Sequence, residues 1–542
     1  MNRSLLFYLS LIIVLVLTGL TVFGQNEDKK TYVKAPFKKV DRLATNDWWN
    51  RGDNDLIDLR VDRKDVVAFG LYTVSSQTVK ISAQLFPLFP EETRVVRLEI
   101  EKNNRWNEIQ SQSVNELGWS ALFRIENWTA TEDIPYRIRH GDSAVFEGLI
   151  RKDPADKNEI VMAALSCNSK KDRGDRENYV RNINHQDPDL IFFAGDQSYD
   201  HREHTAAWLL FGMQFRETFR NRPCITIPDD HDIGMYNLWG ESGKKGKGTF
   251  SFSGGYRFHH EYVKMVERCQ TAHLPDPYDP TPVKQGIGVY YTNYILGGID
   301  FAIIEDRKFK SGPKGKVPPR GIRPDLIKSS KYDVSKVDVE GLVLLGERQL
   351  QFLDKWAKQQ DSSSIKVVLS QTAFFSGPHR HGKNLNRAKA DLDSNGWPQT
   401  GRNKAVSAIK KANAIHIAGD QHIALVVQHG IENYQDGPWE FTVPAIVNTI
   451  YERWWWPDSE KPGENTNDVL PWTGNYLDGF DNKITMQAYA NPDGPSTGAG
   501  YGLIRFNKAS REVTFECWPR FVDVTTEGAR QFVGWPITIE LD

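Results

Sequence analysis

The sequence predicts an α/β domain preceded by an all-β domain, on three observations. A strand, a helix and a strand follow one another between Glu159 and Ala194, EIVMAALSC, RENYVRNINHQ and LIFFAGDQ, at the spacing of a βαβ unit. Residues 31–154 show only short alternating runs broken by polar turns, the texture of a sandwich. Several apolar runs of the later part also empty directly into acids and histidines, and in open α/β sheets ligands gather beyond the carboxyl ends of strands.

In chain order, a short basic start and an apolar run from Leu5 to Phe23 read as an export signal ending near Gly24 or Gln25. The run approaches membrane-spanning length, so an uncleaved anchor is the competing reading. Arg3 stands alone rather than in a twin-arginine pair, which favours general secretion. The sandwich runs include VVAFGLYTV, VKISAQLF and RVVRLEIEKN, and they contain no acid-histidine cluster. Asn127-Trp128-Thr129 matches a glycosylation sequon to which no role is assigned.

After a charged, proline-containing linker at Arg151–Asn158, three strand ends carry candidate chemistry in sequence: Cys167, then Asp196 with Tyr199, then Asp230 with His231. The helix between the last two is expected over about Thr205–Arg220. His259 and His260 fall on a later helix as packing or surface histidines. A hairpin turns at Gly297-Gly298 and ends in Asp306, Arg307 and Lys308; IKVVLSQTAFF is a buried strand ending at Gln371; AIHIAGDQH places Asp420 and His422 after another. From Asp436 onward the chain is β-rich without crossover helices and is expected to complete a second sheet against the first. Trp454-Trp455-Trp456 reads as a loop anchor or a substrate-facing wall.

The chain has 542 residues, with 39% hydrophobic and 25% charged side chains and a net charge of -2. That length predicts several domains, and the balance gives no reason to expect a nucleic-acid partner. Four cysteines, at 167, 224, 269 and 517, form no disulfide framework; Cys224 and Cys517 read as buried small hydrophobes.

Thiolate, phenolate, carboxylate and imidazole together suit a trivalent or first-row transition ion at the thiolate and phenolate end. Ca²⁺, Mg²⁺ or Mn²⁺ would prefer the carboxylate and amide end. Two metals bridged by one carboxylate form a clamp for in-line displacement at phosphorus.

The motifs SC at Ser166-Cys167, GDQSY at Gly195–Tyr199, DDHD at Asp229–Asp232 and GDQH at Gly419–His422 resemble those of the alkaline phosphatase D (PhoD)-like family of calcineurin-like metallophosphoesterases. The resemblance implies a four-layer sandwich of two mixed sheets flanked by helices over 158–535, with the all-β domain at 31–154; the export signal, or possible anchor, read from the apolar run takes residues 1–25. It implies that Cys167 and Tyr199 hold Fe³⁺, that Asp196 bridges the metals, and that Asp230, Asp420 and His422 are further ligands. Asn237 occupies a position of similar type, as does Gln371. Catalytic roles fall to Asp196 and to His231, the latter as general acid or as donor to a phosphoryl oxygen. The second ion would be Ca²⁺ or another divalent metal such as Mn²⁺ or Mg²⁺. Two features depart from the family pattern: the twin arginine is missing, and Asp232 stands where glutamate is common.

Arg307 and Arg402 are candidates to hold substrate oxygens, with Lys308 and Arg380 behind them; His379 and His381 could join from a Gly/Pro loop. The expected activity is that of an exported, monomeric hydrolase of phosphate mono- or diesters, periplasmic or extracellular. A phospholipase-like or nucleotide-cleaving enzyme and a non-catalytic binding protein are the alternatives.

Overall fold

The structure is a computed structural model that describes residues 54–247, 252–317, 325–329, 331–359, 365–448, 453–457, 467–491 and 498–541. The expected export segment and the first residues of the all-β domain lie outside these. Among the described residues no helix is long and apolar enough to cross a membrane.

The N-terminal part has seven strands: β1 (Val67–Ser75), β2 (Thr78–Leu85), β3 (Val95–Lys102), β4 (Arg105–Ser113), β5 (Ser120–Ile125), β6 (Ile134–His140) and β7 (Ala144–Ile150). They form two antiparallel sheets, ordered β1-β2-β5 and β4-β3-β6-β7.

The chain then alternates: β8 (Glu159–Leu165), α1 (Glu177–Gln186), β9 (Leu190–Phe193), α2 (His204–Phe219), β10 (Cys224–Thr226), α3 (His260–Thr271), β11 (Thr292–Leu296) and β12 (Ile299–Ile303). After the two-residue β13 (Leu326–Ile327) come α4 (Gly346–Lys358), β14 (Ile365–Thr372), the short β15 (His379–His381), β16 (Asn386–Ala388) and β17 (Ala390–Asp391), then α5 (Gln399–Lys411). The last strands are β18 (Ala414–Gly419), β19 (Leu425–His429), β20 (Trp439–Thr442), β21 (Arg453–Trp455), β22 (Gly474–Leu477), β23 (Lys483–Tyr489), β24 (Gly500–Asn507), β25 (Glu512–Pro519) and β26 (Ile537–Glu540).

Two mixed sheets result, one ordered β10-β9-β8-β24-β25-β26 and the other β11-β12-β14-β18-β20-β19-β23-β22. The C-terminal strands therefore do not all complete the second sheet. β20, β22 and β23 do, whereas β24 returns to pair antiparallel with β8. The parallel strands β8 and β9 are buried on both faces beyond Glu159 and read as continuous apolar runs for that reason.

β8 illustrates how the layers arise from a period of two. Ile160, Met162 and Ala164 face the core between the two sheets, where they meet Phe301, Leu369 and Ile417. Val161, Ala163 and Leu165 face the opposite way, onto Tyr179 and Ile183 of α1 and Phe211 and Phe215 of α2. On the far side of the second sheet, Phe352, Leu353 and Trp356 of α4 and Val406 and Ile409 of α5 cover Ala302 and Val368. Helix, sheet, sheet and helix make the four layers.

The all-β part is not packed as a separate bead. Its β1 and β2 residues share one hydrophobic cluster with α1, α2 and α3. Phe69 meets Trp208 edge-on at 5.6 Å, and a Cβ at Gly212 would lie 1.8 Å from the Phe69 ring, so only glycine lets α2 approach β1 this closely.

Candidate metal centre

The carboxyl ends of β8, β9, β10 and β18 converge, and each delivers its motif residues through a backbone bend. Cys167, Asp196, Asp420 and His422 all have left-handed φ, at 59, 62, 65 and 57°. Non-glycine residues adopt this region rarely and at a cost, and such strain concentrates at functional sites. Gly195, at φ 108°, leads into one of these bends; a Cβ there would sit 2.6 Å from the Asp229 Cβ.

The bends are held by backbone bonds across strands. Cys167 N–H donates to Gly195 O at 3.1 Å and Asn168 N–H to Asp196 O at 2.8 Å. Asp232 acts as scaffold: its carboxylate accepts from the N–H groups of Asp196 at 2.7 Å, Asp229 at 3.0 Å and Ser198 at 2.9 Å, and from the Gln270 amide at 3.0 Å.

Three donor groups share Asp196; one of them adds a ring nitrogen of His231 to Asp196 and Asp230, and the other two define the ends of the site. In the first of those two, Cys167, Asp196 and His422 each offer a ligand atom, all within 4.8 Å of one another; in the second, Asp196, Asp229, Asp230 and Asp420 do so. Tyr199 joins the first, its hydroxyl donating to Asp196 Oδ2 at 2.7 Å and lying 3.1 Å from His422 Nε2. Asn237 lines the same cavity, with its amide 3.5 Å from Asp325.

This donor set fits a pair of cations. Burial, then the neighbouring charge of Asp229, pushes Asp196 well above the usual carboxylate range. Burial raises Asp230, Cys167 and Tyr199 too, and for each the charge of Asp196 adds to it. Against the four carboxylates of the second group stands the guanidinium of Arg307, bonded to Asp229 at 2.6 Å and near Asp420 at 3.1 Å. One positive charge among four buried acids is an imbalance that bound di- or trivalent ions correct.

His231 lies over the phenol of Tyr199, ring centroids 4.0 Å apart, and its Nδ1 is 2.6 Å from His201 Nε2. Burial, with the charges of His201 and His422, holds His231 well below the ordinary imidazole range. Burial lowers His201 to about 4.

The structure corrects the expected substrate cations. Arg307 is buried and spent on carboxylates: besides Asp229 and Asp420 it bonds Asp393 at 2.6 Å, and it does not line the cavity. Arg402 is buried elsewhere, donating to Phe374 O at 3.1 Å and Gly430 O at 2.7 Å, with its third nitrogen 2.8 Å from His429 Nδ1. Lys308 is buried between Glu267 at 2.8 Å and Glu305 at 2.5 Å. Gln371 donates to Pro228 O at 3.0 Å and lies outside the cavity lining. Arg380 covers the Trp456 ring at 3.9 Å, while Trp455 is fully buried in the core between the sheets. His379 and His381 sit on β15, which pairs with β21; they brace the strand bearing Arg453 rather than line the site.

The cavity, about 250 Å³, is lined by residues the motifs did not disclose: His201, Tyr236, Lys170, Lys171, Asp393 and Arg453. Arg453 is held toward it by Gln421 Oε1 at 2.8 Å and Asp391 at 3.7 Å. Lys170 and Lys171 follow the Ser-Cys motif closely enough that a scan for cations beside strand ends would have found them; Arg453 lies on a distant strand and carries no such signal.

Comparison with known proteins agrees with this fold. Residues 207–453, which include DDHD and GDQH but not Cys167, Asp196 or Tyr199, match the family model of the PhoD-like phosphatase. A solved structure described as that of PhoD aligns with 89% of this chain and 92% of its own at TM-score 0.61 and 14% identity. The purple acid phosphatase PPD1 from yellow lupin (Lupinus luteus) seeds aligns with 88% of this chain and 74% of its own, at TM-score 0.53 and 11% identity. No curated protein sequence matches significantly.

Proposed function

We propose that this chain, whose residues 207–453 match the family model of the PhoD-like phosphatase, is an exported, metal-dependent phosphoric ester hydrolase. The observation that carries the reading is Asp196, the one carboxylate common to a thiolate-imidazole group and an all-carboxylate group. Cys167, Tyr199 and His422 would hold Fe³⁺ on one side. Asp230, Asp420 and Asn237 would hold Ca²⁺, or Mn²⁺ or Mg²⁺, on the other, and Asp196 would bridge.

When bound, such a pair supplies Lewis-acid charge at phosphorus and makes water acidic enough to attack at neutral pH. The chain's own residues do the rest. His231 faces the cavity as hydrogen-bond donor to a phosphoryl oxygen, and the stacked Tyr199 ring sets its plane. Lys170, Lys171 and Arg453 draw a phosphate ester into the cavity. Export rests on the Leu5–Phe23 run, and the protein is taken to act as a monomer. Trp455 is buried and offers no base-stacking or acyl-binding surface, and Trp456 lies against Trp472 at 5.1 Å with Arg380 over its ring.

Metal analysis and hydrolysis of matched aryl mono- and diesters, with chelator controls, test the proposal. Asp196→Asn is expected to lose bound metal and fall to the background rate. Turnover retained in that variant refutes the bridging role, and protein without iron or a visible charge-transfer band refutes the Fe³⁺ assignment.

A further inference from the structure

The motifs place a histidine at the site without saying what orients it, and the pair at His201 supplies that. The two rings face one another with His201 Nε2 and His231 Nδ1 2.6 Å apart. At that separation one hydrogen fits between the nitrogens and two do not, so the pair must choose which ring carries it. The choice fixes the opposite nitrogen of His231, since a neutral imidazole bears a single N–H.

We propose that His201 is the positioning residue for His231: its Nε2–H donates to His231 Nδ1, which places the His231 proton on Nε2 as a donor into the cavity. This rests on the hydrolase reading for its purpose, because a phosphoryl oxygen there can only accept. The surrounding contacts hold this geometry. Tyr262 Oη donates to His201 O at 3.3 Å, Tyr236 packs edge-on against the His201 ring at 4.7 Å, and Tyr199 stacks beneath His231 at 4.0 Å. No proton moves in this role. His201 selects a tautomer and an orientation, as partners of functional imidazoles do when they bond the ring's other nitrogen.

The test reads the tautomer and the kinetics separately. In the full chain with ¹⁵N-labelled histidine and diamagnetic Ga³⁺ in place of iron, the His231 signals are those missing from His231→Gln. They are expected to show Nε2 protonated and Nδ1 unprotonated in the wild type, and a mixture of tautomers in His201→Phe. For an aryl phosphate, His201→Phe should lower kcat roughly 10- to 100-fold with KM and metal content little changed. His201→Gln, whose amide can donate to Nδ1, should recover most of the loss. A wild-type His231 protonated on Nδ1 overturns the proposal, and so does wild-type kcat in His201→Phe or equal impairment of the Gln and Phe variants. The wild-type spectrum, assigned through His231→Gln, decides even if a His201 variant fails to fold. A chain with Nε2-protonated His231 that hydrolyses no phosphate ester overturns the hydrolase reading instead.

Discussion

Arg307 is the residue on which the acids of the site depend before any ion arrives. Its guanidinium spans Asp229, Asp393 and Asp420 at 2.6, 2.6 and 3.1 Å, all buried. Removing one partner from such a cluster leaves uncompensated charge out of water, which costs about 3–5 kcal/mol. Arg307→Met is therefore expected to lower the metal-free unfolding free energy by that order, and chemical denaturation measures it. An unchanged midpoint would mean the three carboxylates are already protonated or wet. The same residue shows where reading the chain falls short. Arg307 follows an apolar strand in the company of Asp306 and Lys308, the pattern of a substrate cation, but its partners lie 78 and 86 residues away.

Among elements, the second sheet has a polar joint of its own. Glu440 on β20 accepts from His416 of β18 at 2.7 Å, His429 of β19 at 2.8 Å and the Phe374 N–H at 3.0 Å. The outer nitrogens are also engaged, His416 Nε2 with Ser370 Oγ at 2.7 Å and His429 Nδ1 with Arg402 at 2.8 Å. Three potential ligands thus meet, yet every ring nitrogen has a protein partner, so the cluster ties neighbouring strands and orients Arg402 rather than awaiting an ion. Burial raises Glu440, but the histidine bonds and charges outweigh it and hold the carboxyl well below its usual value of 4.5. A depressed folded pKa means the stabilisation is complete above the unfolded value and is lost as pH falls through the folded one. Glu440→Gln should accordingly be less stable than wild type by about 3 kcal/mol near neutral pH, the gap narrowing as pH drops below about 4.5. Denaturation curves at a series of pH values check it; a gap that widens in acid would reverse the assignment.

On the scale of the whole molecule, the four-layer domain and the sandwich share a core, and the strained, acid-rich site sits where four strands of two sheets end. Such a site stores repulsion that metal relieves. Binding to the folded state alone adds RT ln(1 + [L]/Kd), about 2.7 kcal/mol at a hundredfold excess over Kd. Chelation should lower the wild-type thermal midpoint and leave Asp196→Asn unmoved, while metal-free Asp196→Asn should be at least as stable as metal-free wild type. Calorimetry with and without chelator distinguishes these, and a midpoint indifferent to chelator in the wild type would count against a metal centre.

The strand ends were legible because their cause is local. A buried run such as LIFFAGD must stay apolar until it leaves the core, and β8 sorts its side chains to two faces by alternation alone. Cys167, Asp196, Tyr199, Asp230, Asp420 and His422 could be gathered on that basis, as could the α/β class and the preceding sandwich. The return of β24 to β8 could not, since hydrophobic period does not say which sheet a strand joins. Nor could the partners of charge. Whether Arg307, Arg402 or Arg453 meets substrate depends on what stands within about 3 Å of each, and those neighbours come from remote strands and loops. The amino-acid sequence by itself determined which residues end buried strands and so which chemistry the site contains; only the tertiary structure decided which charges cancel and which remain facing the cavity, because electrostatic pairing is set by distance in space.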